Sequence, residues 1–168
     1  QRTATVNDAT GDAIYAPLGA TQNFDIQDYI NQYVNFDANV KHSQGFRFTS
    51  ASSELAVIEF DTASYNAMEY PFDYTDMINN TISASVTVNL GTPQNDPNAI
   101  GVGYIEYDAH GTLVLHDTTF TNVARIHQRD SVNANFFLGS ADIVVDKYEY
   151  YDLANLDIPI FICSRVTI

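Results

Sequence analysis

The groups on which chemistry could rest in this chain are four histidines, one cysteine and 21 acidic side chains among 168 residues. His110 and His116 stand near each other in the chain, with Asp108 and Asp117 beside them. Imidazole and carboxylate together suit zinc and similar ions. The spacing matches neither H-x-H nor H-E-x-x-H, so these residues read as turn and strand histidines, and no metal site is assigned. A nucleophilic triad needs a serine or cysteine within reach of a base and an acid. The sequence has no G-x-S-x-G, and Cys163 has no base beside it. Paired carboxylates can be drawn anywhere among 21 acids, so they discriminate nothing. Oxygen ligands in Gln94–Asn98, or at Asp73 and Asp76, would admit calcium, although the EF-hand pattern is missing and ordinary turn chemistry explains both. The chain therefore reads as a non-enzyme without an assigned cofactor, calcium being the one ion these oxygens suit.

Two stretches carry binding chemistry. From Thr62 to Met77 the chain is irregular and rich in tyrosine, with Tyr65, Tyr70 and Tyr74 close to Asp73 and Asp76. Aromatic faces stack on sugar rings while carboxylates bond their hydroxyls; the same surface also packs well against another protein. The second stretch is Asn79-Asn80-Thr81, a glycosylation sequon that makes Asn79 a candidate acceptor.

Charge narrows the partners. The net charge is −14, and the bases, Arg2, Lys41, Arg47, Arg125, Arg129, Lys147 and Arg165, are scattered. Nucleic-acid binding needs a basic patch, and none is visible. An anionic membrane surface is disfavoured for the same reason, and no apolar run is long enough to span a bilayer. A single cysteine excludes an intrachain disulfide. The sequence opens at Gln1 without an apolar leader, so the expectation is a secreted chain whose leader has been removed, placed outside the cell or at its surface.

The elements that must position these residues are strands. Sixteen Asp and fifteen Asn favour turns, whereas Val, Ile, Thr, Tyr and Phe favour strands. Ile82, Ala84, Val86 and Val88 alternate with small polar residues, as do Ala56, Ile58 and Phe60 in their own stretch. The last stretch, Ile158 to Ile168, alternates as well, and its isoleucine face is expected to be buried between neighbouring strands, with Thr81 to Leu90 or the N-terminal strand beside it. Cys163 on the opposite face reads as a small buried apolar residue. Arg2 to Asn7 reads as an edge strand, and Thr3, Ala4, Thr5 and Val6 are candidate subunit contacts if residues 1–8 cross to another copy. Ile26, Tyr29, Ile30 and Tyr33 suit one helical face, which predicts a short helix near residues 25–34. Loops or turns are expected at Gly91–Asn98, Asp108–Gly111 and Gly139–Ser140, with a polar hinge at Arg125–Asp130.

Eight or nine short strands with turns between them predict a predominantly all-β chain. The expected architecture is a single antiparallel β-sandwich or jelly-roll-like domain over residues 1–168. The functional expectation is a secreted structural subunit that assembles with copies of itself into a filament, pilus or surface array. One alternative is a carbohydrate-binding domain in cell adhesion that uses the Tyr-rich loop on a glycan. The other is a viral capsid or appendage jelly-roll protein.

Overall fold

Alternation of β-branched and aromatic residues with polar ones recurs along nearly the whole chain, and a computed structural model shows antiparallel strands wherever it does. The structure describes residues 4–37, 40–50, 53–61, 67–69, 73–89, 91–156 and 158–168. Its strands are β1 (Ala4–Asp8), β2 (Gln22–Ile26), β3 (Ile30–Asp37), β4 (Val40–Ser50), β5 (Ser53–Phe60), β6 (Ala67–Glu69), β7 (Met77–Asn89), β8 (Pro93–Leu115), β9 (Thr118–Phe136), β10 (Gly139–Asp152) and β11 (Phe161–Thr167). All belong to one antiparallel sheet, in the order β1-β2-β3-β4-β5-β7-β8-β9-β10-β11, with β6 paired to β4 beside that path. The path is a meander in which nearly every strand pairs with its neighbours in sequence.

The sheet curls so that its first strands face its last. A cluster of buried side chains joins Phe46, Phe48, Ala56, Ile58, Phe60, Ile82, Ala84 and Val86 to Val132, Ala134, Ile143 and Val145. Ile30 of β3 and Val166 of β11 pack against the same cluster. The apolar rows read from the sequence in β5 and β7 do point into this interior.

Several expectations are corrected. The helix near residues 25–34 is a hairpin: β2 and β3 pair from Gln22↔Val34 to Ile26↔Ile30. Gln27 and Asp28 turn it with φ of 63° and 60°, the left-handed conformation favoured in tight hairpin turns, within a three-residue connection, 27–29, between Ile26 and Ile30. Asp25 Oδ1 accepts a hydrogen bond from Asp28 N at 2.9 Å and supports the turn. The helical spacing of Ile26 and Ile30 is a coincidence of two residues that face each other across the turn.

The expected loop at Gly91–Asn98 is mostly the start of β8, which begins at Pro93. Asp96 there is buried and accepts from Asn98 N at 2.9 Å and Asn135 N at 2.7 Å. The expected turn at Asp108–Gly111 lies inside β8, which continues to Leu115 and turns at His116–Asp117. Register shifts at Tyr107/Ala109 and Gly111/Leu113 absorb the irregular residues as bulges. The hinge at Arg125–Asp130 is uninterrupted β9, and β9 and β10 turn at Phe137–Leu138 rather than at Gly139–Ser140.

β11 pairs with β10, from Val144↔Thr167 to Tyr150↔Phe161, and not with β7. Its alternation is real, but it lies at the end of the sheet order. Ile162, Ser164 and Val166 are therefore half-buried, Ile168 is 66% exposed and Cys163 is exposed.

The connector after β1 is a packed plug. Asp12 Oδ1 accepts from Ile14 N and Tyr15 N at 2.9 and 3.0 Å, which sets up the Ala16–Leu18 3-10 turn. Tyr15 is wholly buried and stacks on Tyr33 at 3.8 Å. Its hydroxyl donates to the carbonyls of Phe46 at 2.7 Å and Ile58 at 3.0 Å. Gly45 makes room for it: a Cβ there would lie 2.8 Å from the Tyr15 ring and 2.0 Å from the Ile58 carbonyl oxygen.

Candidate functional site

Strands β9 and β10 change chemistry midway along their inner faces. At one end Val132, Ala134, Ile143 and Val145 join the large apolar cluster. At the other, Ala124, Ile126 and Tyr151 form a smaller one with Ile105 and Tyr107 of β8. Between them Gln128, Asp130, Lys147 and Glu149 point inward and are just as buried. Across the interior β3 and β4 present Gln32, Lys41 and Ser43, also buried. A belt of polar side chains thus crosses the interior between two apolar clusters.

Every polar end named in the belt meets another. Lys41 Nζ donates to both Glu149 oxygens, at 2.6 and 2.8 Å. Lys147 Nζ donates to Glu149 Oε1 at 2.9 Å and also to Gln32 Oε1. Gln32 Nε2 donates to Ser43 Oγ at 3.1 Å and reaches Gln128 Oε1 at 3.5 Å. Gln128 Nε2 donates to Asp130 Oδ2 at 2.7 Å, and the Tyr151 hydroxyl donates to Glu149 Oε2 at 2.9 Å. Lys41 Nζ also sits 4.9 Å from the centre of the Phe24 ring, close enough for a cation–π contact.

Burial is costly for charge unless the charge is paired. Here one carboxylate serves two ammonium groups. Burial alone would raise the Glu149 carboxyl, but Lys147 and Lys41 outweigh it and hold the group at about 2. Burial lowers Lys41 to about 7; Glu149 opposes that shift, and the second ammonium, Lys147, adds to it.

The second notable feature is the pair of sheet ends. Among the described residues β1 pairs only with β2 and β11 only with β10, so each leaves one side of its backbone ladder outside the sheet order. Apolar side chains stand exposed at both: Val6 in β1, Phe161 in β11, and Ile158 and Ile168 beside β11.

The outer face of β8 to β10 carries a ladder of rings. His127 stacks on Tyr148 at 4.2 Å and meets the edge of Tyr104 at 5.1 Å. Its Nε2 lies 2.5 Å from Asp146 Oδ1, and its Nδ1 lies 3.3 Å from the Tyr104 hydroxyl. Arg125 lies 5.2 Å over Tyr148 and donates twice to Asp108, at 2.8 Å each. These rings use their faces on one another.

The chain matches no known family model, curated protein or solved structure.

Of the Tyr-rich candidates, Tyr65 and Tyr70 lie outside the described residues. Tyr74 is half-exposed and meets Tyr107 and His110 edge-on at 5.3 and 4.5 Å. Asp73 and Asp76 share its turn: Asp76 N donates to Asp73 O at 2.9 Å, and Asp76 O accepts from Tyr107 N at 3.1 Å. The structure thus sets Tyr74 against β8. A shallow hollow of about 170 Å³ lies nearby, lined by His110, Leu113, Arg125 and Tyr150 among others.

Asn79 is exposed on β7 opposite Tyr104. Thr3 lies outside the described residues; Ala4, Thr5 and Val6 lie on β1, where Thr5 and Val6 are exposed. His110 and His116 do not converge: His116 pairs with its neighbour Asp117, His110 meets the Tyr74 ring, and Asp108 is taken by Arg125. Among the described residues no group of three or more His, Cys, Asp or Glu is placed to hold a metal ion. No helix among the described residues is long and apolar enough to cross a membrane.

Sequence reasoning missed the belt. Its signal was present in parity: Ile143, Val145, Lys147, Glu149 and Tyr151 occupy alternate positions, so two charged residues share the inward row of three apolar ones.

Proposed function

We propose that the chain is a structural subunit that assembles with copies of itself, through strand-edge contacts, into an extracellular filament, pilus or surface array. The observation that carries this reading is the meander with two unlike ends, β1 and β11. An exposed edge strand presents unpaired N–H and C=O groups that template another strand. When the two edges of a subunit differ, joining one to the other is a head-to-tail contact, which propagates unless the rotation closes a ring. The exposed Val6, Phe161 and Ile168 supply apolar surface at those joints. The subunit itself reads as a sandwich-like body, with the faces of β3–β4 laid over those of β9–β10. Extracellular placement belongs to the same proposal; the exposed Asn79 would carry a glycan on the outer face of such an array. Closed shells of viral type use the same kind of contact and differ only in closure.

The test uses the native Cys163, which is exposed on β11. The full chain should sediment as polymers and image as fibres. A Thr5→Cys variant should form disulfide-linked ladders through Cys163 under mild oxidation, and deletion of residues 1–8 should leave monomers. A chain that stays strictly monomeric at high concentration overturns the proposal.

A further inference from the structure

The belt holds a primary amine in contact with both a carboxamide and a carboxylate, away from water. Lys147 Nζ donates to the carbonyl oxygen of Gln32 and to Glu149 Oε1, the latter at 2.9 Å. Gln32 is 0% exposed, and Lys147 and Glu149 are 1% exposed each. The Gln32 amide is held at both ends, by Lys147 at its oxygen and by Ser43 and Gln128 at its nitrogen. Glu149 in turn is fixed by Lys41 on both oxygens and by the Tyr151 hydroxyl. Reacting groups held at contact distance behave as if at very high local concentration.

We propose that Lys147 and Gln32 form an intramolecular isopeptide bond, with Glu149 as the proton carrier. Lys147 gives a proton to Glu149, and its free Nζ attacks the Gln32 side-chain carbonyl carbon. A C–N bond forms to Nζ. The carbon–Nε2 bond breaks as Glu149 returns the proton to Nε2. The new amide nitrogen then gives up its second proton, again through Glu149, and the leaving nitrogen departs as ammonium carrying both protons that began on Lys147. No oxidant, metal or co-substrate enters the balance.

Electrostatics favours this direction. Before reaction one carboxylate, Glu149, faces two ammonium groups, Lys41 and Lys147. Afterwards Lys147 is a neutral amide, and Lys41 and Glu149 remain as a one-to-one pair. Asp130 touches the belt through Gln128 and is not part of the transfer. Burial also excludes the water that would hydrolyse the intermediate. The bond would join β3 to β10, which are separated by five strands in the sheet order. It rests on the interior geometry alone and is independent of whether the chain assembles.

Mass spectrometry of the full chain decides it. The intact protein should be one ammonia lighter than its sequence, and a proteolytic map should give a branched peptide joining residues 32 and 147. Cyclisation of Gln1 sheds ammonia too, so the branched peptide is the deciding signal. Gln32→Ala should lose the branch, Gln32→Glu should retain it with loss of water instead of ammonia, and Glu149→Gln should leave the amine and amide unjoined. Recovery of Gln32 and Lys147 in separate, unmodified peptides from the folded wild-type chain overturns the proposal, whatever the variants do. A branch that persists in Glu149→Gln overturns the role given to Glu149.

Discussion

Four residues along β10 separate two kinds of interior. Ile143 and Val145 lie in a dry apolar cluster; Lys147 and Glu149, next on the same inward row, lie in an ionic belt. Both regions are equally shut from water. The apolar region is held by area removed from solvent, which is non-directional and tolerant of small changes in shape. The belt is held by directional contacts among a few atoms, so its loss is abrupt when one partner goes. Equal burial therefore does not mean equal sensitivity to substitution.

The largest effect that would sharpen this contrast is Glu149→Gln. It preserves shape but leaves two buried ammonium groups without their carboxylate, and should cost about 3–5 kcal/mol. Urea denaturation at neutral pH measures it, and a change within error would place the belt with ordinary surface pairs.

Acid comes next. Glu149 is held at about 2 against an ordinary value of 4.5, so below 4.5 the unfolded chain takes up a proton that the folded chain refuses. The stability it contributes is complete above that value and fades as pH falls toward 2. Lys41 acts at the other end: its folded value of about 7 lies below 10.5, so stability rises with pH between the two. Unfolding midpoints across pH should show the acid limb, and Glu149→Gln should flatten it.

A smaller effect is expected at the plug. Tyr15→Phe removes the donor to two buried carbonyls, Phe46 O and Ile58 O, and should cost about 1–3 kcal/mol. The smallest is Ile82→Val in the dry cluster, at about 0.5–1.5 kcal/mol. If Ile82→Val proved as damaging as Glu149→Gln in the same denaturation experiment, the distinction between the two interiors would fail.

The same contrast explains what the sequence made legible. Ile82, Ala84, Val86 and Val88 announce a half-buried strand because apolar side chains have only one good place to go. The belt residues do not, since lysine and glutamate are almost never fully buried unless paired, and their partners lie far off in sequence: Lys41 and Glu149 are 108 residues apart. The hairpin at Gln27–Asp28 was hidden because neither turn residue is glycine, although both adopt positive φ. Asp108–Gly111 looked like a turn on composition, yet cross-strand pairing carried β8 through it with bulges. β11 was read correctly in its alternation and wrongly in its burial, because a period of two reports which face a residue takes and says nothing about position in the sheet. Of the proposed sites, Tyr74, Asp73 and Asp76 do fall together, in a turn that β8 supports.

The meander also fixes how the molecule would answer a mechanical load. Tension applied between β1 and β11 loads the edge ladders first, at Ala4↔Ile26 on one side and Val144↔Thr167 on the other. Each would peel from its neighbour one rung at a time, since antiparallel ladder bonds lie perpendicular to the strands and, loaded at the open end of the pair, part in series rather than together. Peeling that worked inward would reach β3 and β10 and there meet ties that skip the strand order: Gln32 with Lys147, and Lys41 with Glu149. The ionic belt thus stands as the internal stop of an otherwise unzippable ribbon.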